Sequence, residues 1–120
     1  MSRHTGARRK AERRGRICEF LAAAWLTLKG YRVVAFRYRT HAGEVDIVAL
    51  KGDLAVFVEV KARREAGLAV DAVTQAAQAR IRAASDVWMS RRRDAARLSQ
   101  RYDIVAVLPG RLPRHFPDAF

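Results

Sequence analysis

The sequence predicts a mixed α/β sandwich, with elements in the order α-β-β-β-α-β and helices on both faces of the sheet. Three observations carry that expectation. Apolar residues recur at helical spacing in two stretches, four short stretches read as strands, and a Gly-Asp pair joins two of those strands as a tight hairpin. The helix between the third and fourth strands implies a right-handed crossover, which makes the fourth strand parallel to an earlier one. At 120 residues, 50% of them apolar, the chain is long enough to bury one core.

The first ten residues, 1–10, read as a basic, flexible arm, leaving 11–120 as a single domain. From about Glu12 to Lys29 the pattern is helical. Ile17, Phe20, Leu21, Ala24 and Leu28 share one face, which is the expected core contact. Glu19 falls on a second face with Ala22, Ala23 and Leu26, where it is either carried toward a sheet by those small side chains or left as a solvated helix charge. Cys18 and Trp25 read as core residues of this helix, and Gly30 as its stop. Tyr31–Arg39 alternates, setting Val34, Phe36 and Tyr38 on one side and Arg37 and Arg39 on the other. Glu44–Leu50 and Leu54–Ala62 are the next strands, and Gly52-Asp53 suits a type II′ turn between them. Asp71 is the expected cap of a second helix with the stripe Val73, Ala77, Ile81, Ala84 and Trp88. Ser90–Ser99 gives no clear break, Tyr102–Leu108 reads as the fourth strand, and the tail from Pro109-Gly110 to Phe120 reads as irregular.

Lys and Arg outnumber Asp and Glu by 24 to 12, a formal charge of +12 that attracts polyanions, nucleic acid first and anionic membrane second. No segment reaches the ~18–20 consecutive apolar residues of a membrane span, so none is expected. Arg8, Arg9, Lys10, Arg13, Arg14 and Arg16 ahead of an apolar run imitate a secretory signal. Glu19 interrupts that run, however, and Lys29-Gly30 ends it as a helix stop, so a cytoplasmic protein is the expectation. The single Cys18, without an internal disulfide partner, fits a reducing compartment. His4, His41 and His115 have no cysteine or acid at zinc-ligand spacing, and no G-x-x-x-x-G-K-[ST] phosphate loop is present. Gln75, Gln78 and Arg82 read as a solvated helix face, and Arg91, Arg92 and Arg93 as diffuse charge.

The stretch Gly43–Arg63 sets charges among β-branched residues: Asp46 lies between Val45 and Ile47, and Glu59 between Val58 and Val60. A buried, unpaired carboxylate is costly or takes up a proton. With Gly52 and Asp53 as the loop, Lys51 faces Leu54, Val48 faces Phe57, Asp46 faces Glu59 and Glu44 faces Lys61. Opposed like charges destabilise a hairpin. The patch is therefore either an ion-pair cluster neutralised by Lys61 and an arginine, or a hard oxygen site for Mg2+ or Mn2+ completed by a backbone carbonyl.

Asp46, a spacer and Glu59-Val60-Lys61 resemble the D…E-x-K core of the PD-(D/E)XK nuclease superfamily, whose core also runs α-β-β-β-α-β. More closely, the chain resembles the YraN family, small bacterial proteins described as predicted endonucleases distantly related to archaeal Holliday-junction resolvases. The resemblance rests on Glu19, Gly30-Tyr31, Arg37 with Arg39, Gly43-Glu44-Val45-Asp46, Val56–Lys61, Arg101–Val105 and Ala119-Phe120. It implies a restriction-endonuclease-like fold and a Mg2+- or Mn2+-dependent DNA endonuclease, with branched or junction DNA as the candidate substrate. By that resemblance Asp46 and Glu59 are metal ligands, joined by the Val60 carbonyl. Lys61 orients or deprotonates the attacking water, and Glu19 is a further ligand or water contact. Arg37, Arg39, Arg63 and Arg64 flank the patch as candidate phosphate contacts. Glu44 and Gln75 are secondary candidates; Gln75 stands where relatives commonly carry lysine, Tyr38 where they carry asparagine, and Val45 where the superfamily has proline. A two-fold junction would suit a symmetric homodimer. The competing expectation is a non-catalytic nucleic-acid-binding module on the same fold.

Overall fold

The structure, a computed structural model, describes residues 3–120, with side chains from Gly6 onward; the side chain of His4 and residues 1–2 of the expected arm lie outside the described residues. One sheet holds β1 (Arg32–Arg39), β2 (Glu44–Lys51), β3 (Leu54–Ala62), β4 (Ser99–Val107) and β5 (Arg114–Phe116), adjacent in that order. Helix α1 (Arg3–Leu28) covers one face and α3 (Gln75–Ser90) the other, while a short α2 (Ala66–Asp71) follows β3. The strands pair antiparallel except β3 with β4, which run parallel as the connection through α3 requires. The result is a mixed α/β sandwich compatible with a restriction-endonuclease-like core.

β2 and β3 are near-continuous apolar runs because both faces are covered. Ile47, Ala49, Val56 and Val58 lie under α1 with Ala22, Ala23 and Leu26. Val48, Leu50, Ala55 and Phe57 lie under α3 with Ile81, Ala84 and Trp88. Gly52 takes φ 59 in the tight turn, and the predicted register holds from Lys51↔Leu54 to Ile47↔Val58.

Helix α1 departs from expectation twice. It begins at Arg3, so the arm continues the helix as far as it is described. It also turns its other face to the sheet. Ala22, Ala23 and Leu26 are buried, whereas Ile17 is 56%, Phe20 65%, Leu21 47% and Leu28 80% exposed. Alanines let a helix lie close to a densely packed sheet, and a stripe headed by Ile17 and Phe20 would hold it off. Cys18 and Trp25, expected in the core, are accordingly only partly buried.

Three other elements differ from the sequence reading. β1 shifts register between Val33 and Ala35, and Arg37 sits at φ 49. These irregularities split the expected face: Phe36 meets Phe20 of α1 with ring centroids 5.6 Å apart, while Tyr38 packs against the α3 cluster. Thr74, rather than Asp71, caps α3, its side chain accepting the Ala77 N–H at 3.1 Å. The tail is not irregular throughout, since β5 adds to β4 with Ile104 opposite Phe116. Among the described residues, no helix is long and apolar enough to cross a membrane.

Candidate active site

The ladder between β2 and β3 is regular up to Ile47↔Val58. Beyond it, the Asp46 carboxylate turns toward β3 and its Oδ2 accepts the Val60 N–H at 2.9 Å. A side chain thus satisfies a backbone donor at the open end of the hairpin. The alternation of β2 changes at the same point, because Val45 packs with Val48 in the α3 cluster while Ile47 lies under α1.

The Glu59 carboxyl lies beside Asp46 at this opening. Burial first, then the Asp46 hydrogen bond and charge, push the Glu59 carboxyl up to about 9; Lys61 opposes the shift and Glu44 adds to it. Near neutral pH Glu59 therefore holds a proton, because burial and a neighbouring carboxylate both disfavour its charged form. Holding the proton is easier in the folded chain than in the unfolded one, where Glu59 titrates near its ordinary 4.5. Stability is thus withdrawn as pH rises from about 4.5 toward 9. Glu59→Gln is expected to flatten that decline and to melt higher than wild type at pH above neutral; an unchanged or lower melting temperature in thermal scans would refute it.

These groups open onto a cleft of about 530 Å3 between the two helices. The hairpin contributes Glu44, Asp46, Glu59, Val60 and Lys61; α1 contributes Arg14, Cys18 and Glu19; α3 contributes Arg80. Glu19 reaches the cleft because its neighbours Ala22 and Ala23 carry that face onto the sheet. Its Oε1 accepts from Arg37 Nε at 2.8 Å, and its side chain is 13% exposed. Cys18 has its thiol pushed up by burial and by Glu19, with Arg14 opposing.

The remaining expected residues are more scattered. Arg37 is occupied by Glu19 and stands as a wall of the site rather than as an open phosphate contact. Arg39 pairs with Glu44 at 3.4 Å, both largely exposed. Arg63 is exposed and donates to the Ala62 carbonyl at 2.6 Å, and Arg64 is exposed as well. Gln75 is exposed at the first position of α3 and does not line the cleft. In the sequence Arg14 stands out only among the basic residues that imitate a secretory signal, and Arg80 does not stand out at all. Nothing in the sequence separates Arg80 from its neighbour Arg82, because only the packed helix shows which one faces the acids.

A hard divalent cation suits this donor set. Mg2+ is commonly held by one or two carboxylates, with water and phosphate oxygens filling the other positions. Asp46 and Glu59 could supply the carboxylates, and a cation would offset the neighbouring charge that now holds the proton on Glu59. Among the described residues, no group of three or more His, Cys, Asp and Glu side chains is placed to hold a metal ion unaided. The fit is therefore to a cation that shares its ligands with substrate and water.

Fold and cleft together define a class of small mixed α/β sandwiches that gather carboxylates and a lysine where a central hairpin opens. The chain belongs to the uncharacterised protein family UPF0102 (YraN), whose model matches residues 18–107. It is 70% identical over 116 residues to a UPF0102 protein of Rhizobium johnstonii, covering 97% of this chain and 95% of the relative. It is 64% identical over 113 residues to one of Agrobacterium fabrum, covering 94% and 93%. A third, from Sinorhizobium fredii, is 58% identical over 118 residues, covering 98% and 97%. All three carry the family name alone.

Proposed function

We propose that this chain is a Mg2+- or Mn2+-dependent endonuclease that hydrolyses phosphodiester bonds in DNA, with branched or junction DNA as the first substrate class to test. The observation that carries the reading is the convergence of Asp46, Glu59 and Lys61 in one cleft, with Glu19 in its wall. The resemblance of Asp46…Glu59-Val60-Lys61 to the PD-(D/E)XK motif supports it. When bound, the cation would polarise the phosphodiester and offset negative charge in the transition state. Asp46 and Glu59 would hold it, Glu59 giving up its proton, with the Val60 carbonyl as a further donor. Lys61, on the same strand face as Glu59, would orient the attacking water and bring positive charge to the phosphate. Arg14 and Arg80 face the acids from the two helices and would hold the phosphate on their side. Arg39, Arg63 and Arg64 are exposed and suit contacts to flanking phosphates, whereas Arg37 would act through Glu19 as a positioning residue. The work would be done in the cytoplasm.

The test is cleavage of linear, flapped and four-way-junction DNA in Mg2+ or Mn2+. Asp46→Ala and Lys61→Ala are each expected to lower the rate by at least about 100-fold. Equal cutting by the variants would remove these residues from the reaction. A non-catalytic nucleic-acid-binding module is the second reading. It is favoured by the engagement of Glu19 with Arg37, which occupies that carboxylate in an ion pair. Binding without cutting by every form would select it.

A further inference from the structure

Helix α1 turns an apolar stripe to solvent. Ile17, Phe20, Leu21 and Leu28 are 56%, 65%, 47% and 80% exposed. Ala24 lies among them and is exposed too. Strand β1 extends the patch with Val34 at 38% and Phe36 at 43%, and Phe36 touches Phe20 with centroids 5.6 Å apart. At 150–250 Å2 for a large buried side chain, the six leave on the order of 500 Å2 of apolar surface in water. That is the size of the largest patch on an ordinary monomer, a patch that is often functional.

We infer that this face is a two-fold interface between two copies of the chain, with α1 of one packed against α1 of the other. The first argument is charge. From Ile17 to Leu28 the only charged residue is Glu19, which turns inward and is neutralised by Arg37. The chain as a whole carries +12, so two copies repel one another over most orientations. From Ile17 to Leu28 the helix therefore presents no net charge to a like-charged copy, and Arg16 and Arg37 stand at the rim beside Phe20 and Phe36.

The second argument is spacing. Ile17, Phe20, Leu21, Ala24 and Leu28 recur three and four apart, the seam of a helix pair. An interface about a two-fold axis must fit itself. In an antiparallel pair crossing near the small Ala24, Phe20 and Leu21 of one copy reach Leu28 of the other. The third argument is area. Two such patches bury about 1,000 Å2 of apolar surface, which with a polar rim meets the ~1,200 Å2 of a specific interface. A membrane surface is the competing occupant, since arginines precede the stripe. An interfacial helix, however, carries its basic residues along the flanks of its apolar face. Here they are confined to the turns before Ile17. The inference does not rest on the proposed nuclease activity.

Sedimentation over a wide concentration range, at low and high salt, tests it without DNA or metal. Wild type is expected to dimerise, and more tightly as salt screens the repulsion between copies. Phe20→Asp and Leu28→Asp, both at exposed positions, are each expected to weaken dimerisation by at least about 30-fold while keeping the wild-type circular dichroism spectrum and a cooperative melt. A wild type that stays monomeric at every concentration and salt would overturn the inference, as would dimers unaffected by both variants. Flotation with anionic phosphatidylglycerol vesicles separates the other source. A wild-type monomer that binds vesicles, with binding lost in Phe20→Asp, assigns the face to membrane and overturns the dimer.

Discussion

Asp103→Ala is expected to destabilise the fold by about 3–5 kcal/mol, the scale on which removing one partner of a buried ion pair acts. Asp103 is fully buried in β4. Arg101 grips it through Nε at 2.8 Å and Nη2 at 2.7 Å, His115 approaches through Nε2 at 2.6 Å, and the Asp118 N–H donates at 2.9 Å. Lys29 lies 2.6 Å from His115 Nδ1, which makes that nitrogen the acceptor and leaves Nε2–H to donate to Asp103. Arg101 also donates to the Tyr31 hydroxyl at 2.7 Å. One carboxylate thus ties together β4, β5, the end of α1 and the C-terminal turn. Because the Arg101 side chain is 23% exposed, water can take up part of its charge, which favours the lower end of the range.

Asp103→Asn keeps the shape and loses the charge, so a smaller loss is expected. Burial pushes the Asp103 carboxyl up, but the Arg101 and His115 hydrogen bonds and the Asp118 N–H outweigh it and hold it below its ordinary 3.8. Its contribution is complete above that unfolded value and is withdrawn as pH falls through the lower folded one. Urea unfolding against pH should therefore show an acid-side loss in wild type that Asp103→Asn lacks. A loss below about 1 kcal/mol for the alanine variant at neutral pH would mean that the network contributes no more than an exposed pair.

Gly43→Ala is the second large effect. The loop between β1 and β2 is closed by Thr40, whose N–H and Oγ1 donate to the Gly43 carbonyl at 2.8 and 2.9 Å. That loop presses Gly43 against α3. A Cβ there would overlap the Arg80 carbonyl oxygen and come within 2.7 Å of its carbon and 2.9 Å of the Arg80 Cα. Backbone cannot swing aside as a side chain can, so α3 must shift away from the sheet. Overpacking of this kind costs about 1–3 kcal/mol. Glu44 and Arg80 both line the cleft, so the shift also disturbs the site. Chemical denaturation should show the loss, and Gly43→Val a greater one. Wild-type stability in Gly43→Ala would mean that the contact yields without strain.

The central hairpin was legible because a two-residue turn fixes register, but only as far as Ile47↔Val58. The expected pairs of Asp46 with Glu59 and Glu44 with Lys61 lie beyond the ladder, where β2 changes its alternation and Asp46 takes the Val60 N–H instead. The α/β order was legible because strand and helix periods differ. The orientation of α1 was not. Its larger stripe, through Ile17 and Phe20, carries more apolar area than the alanine face, and periodicity has no means of weighing how near a helix can come to its sheet. With it went the choice between the two readings of Glu19, which the packing of Ala22 and Ala23 on the sheet decides. Asp103 was hidden in a different way. Like Asp46 and Glu59 it is an acid in an apolar strand, and Arg101 two residues earlier shares its side of β4, yet its partner His115 comes from a strand of three residues set between Pro113 and Pro117. Such a strand has too few positions for alternation to register. Gly43 carried no local signal either, since its constraint lies in a helix more than thirty residues away.

Strand β1 forms an outer edge of the sheet, and an eight-residue edge with apolar side chains is a template for unwanted strand addition. Two features spoil the template: the register shift after Val33, and the left-handed backbone of Arg37 at φ 49. The same twist delivers the Arg37 guanidinium to Glu19. One uncommon backbone angle therefore serves both solubility and the acidic cleft. A β-branched residue at position 37 would favour an extended backbone, restoring a straight edge open to aggregation while it strips Glu19 of its partner.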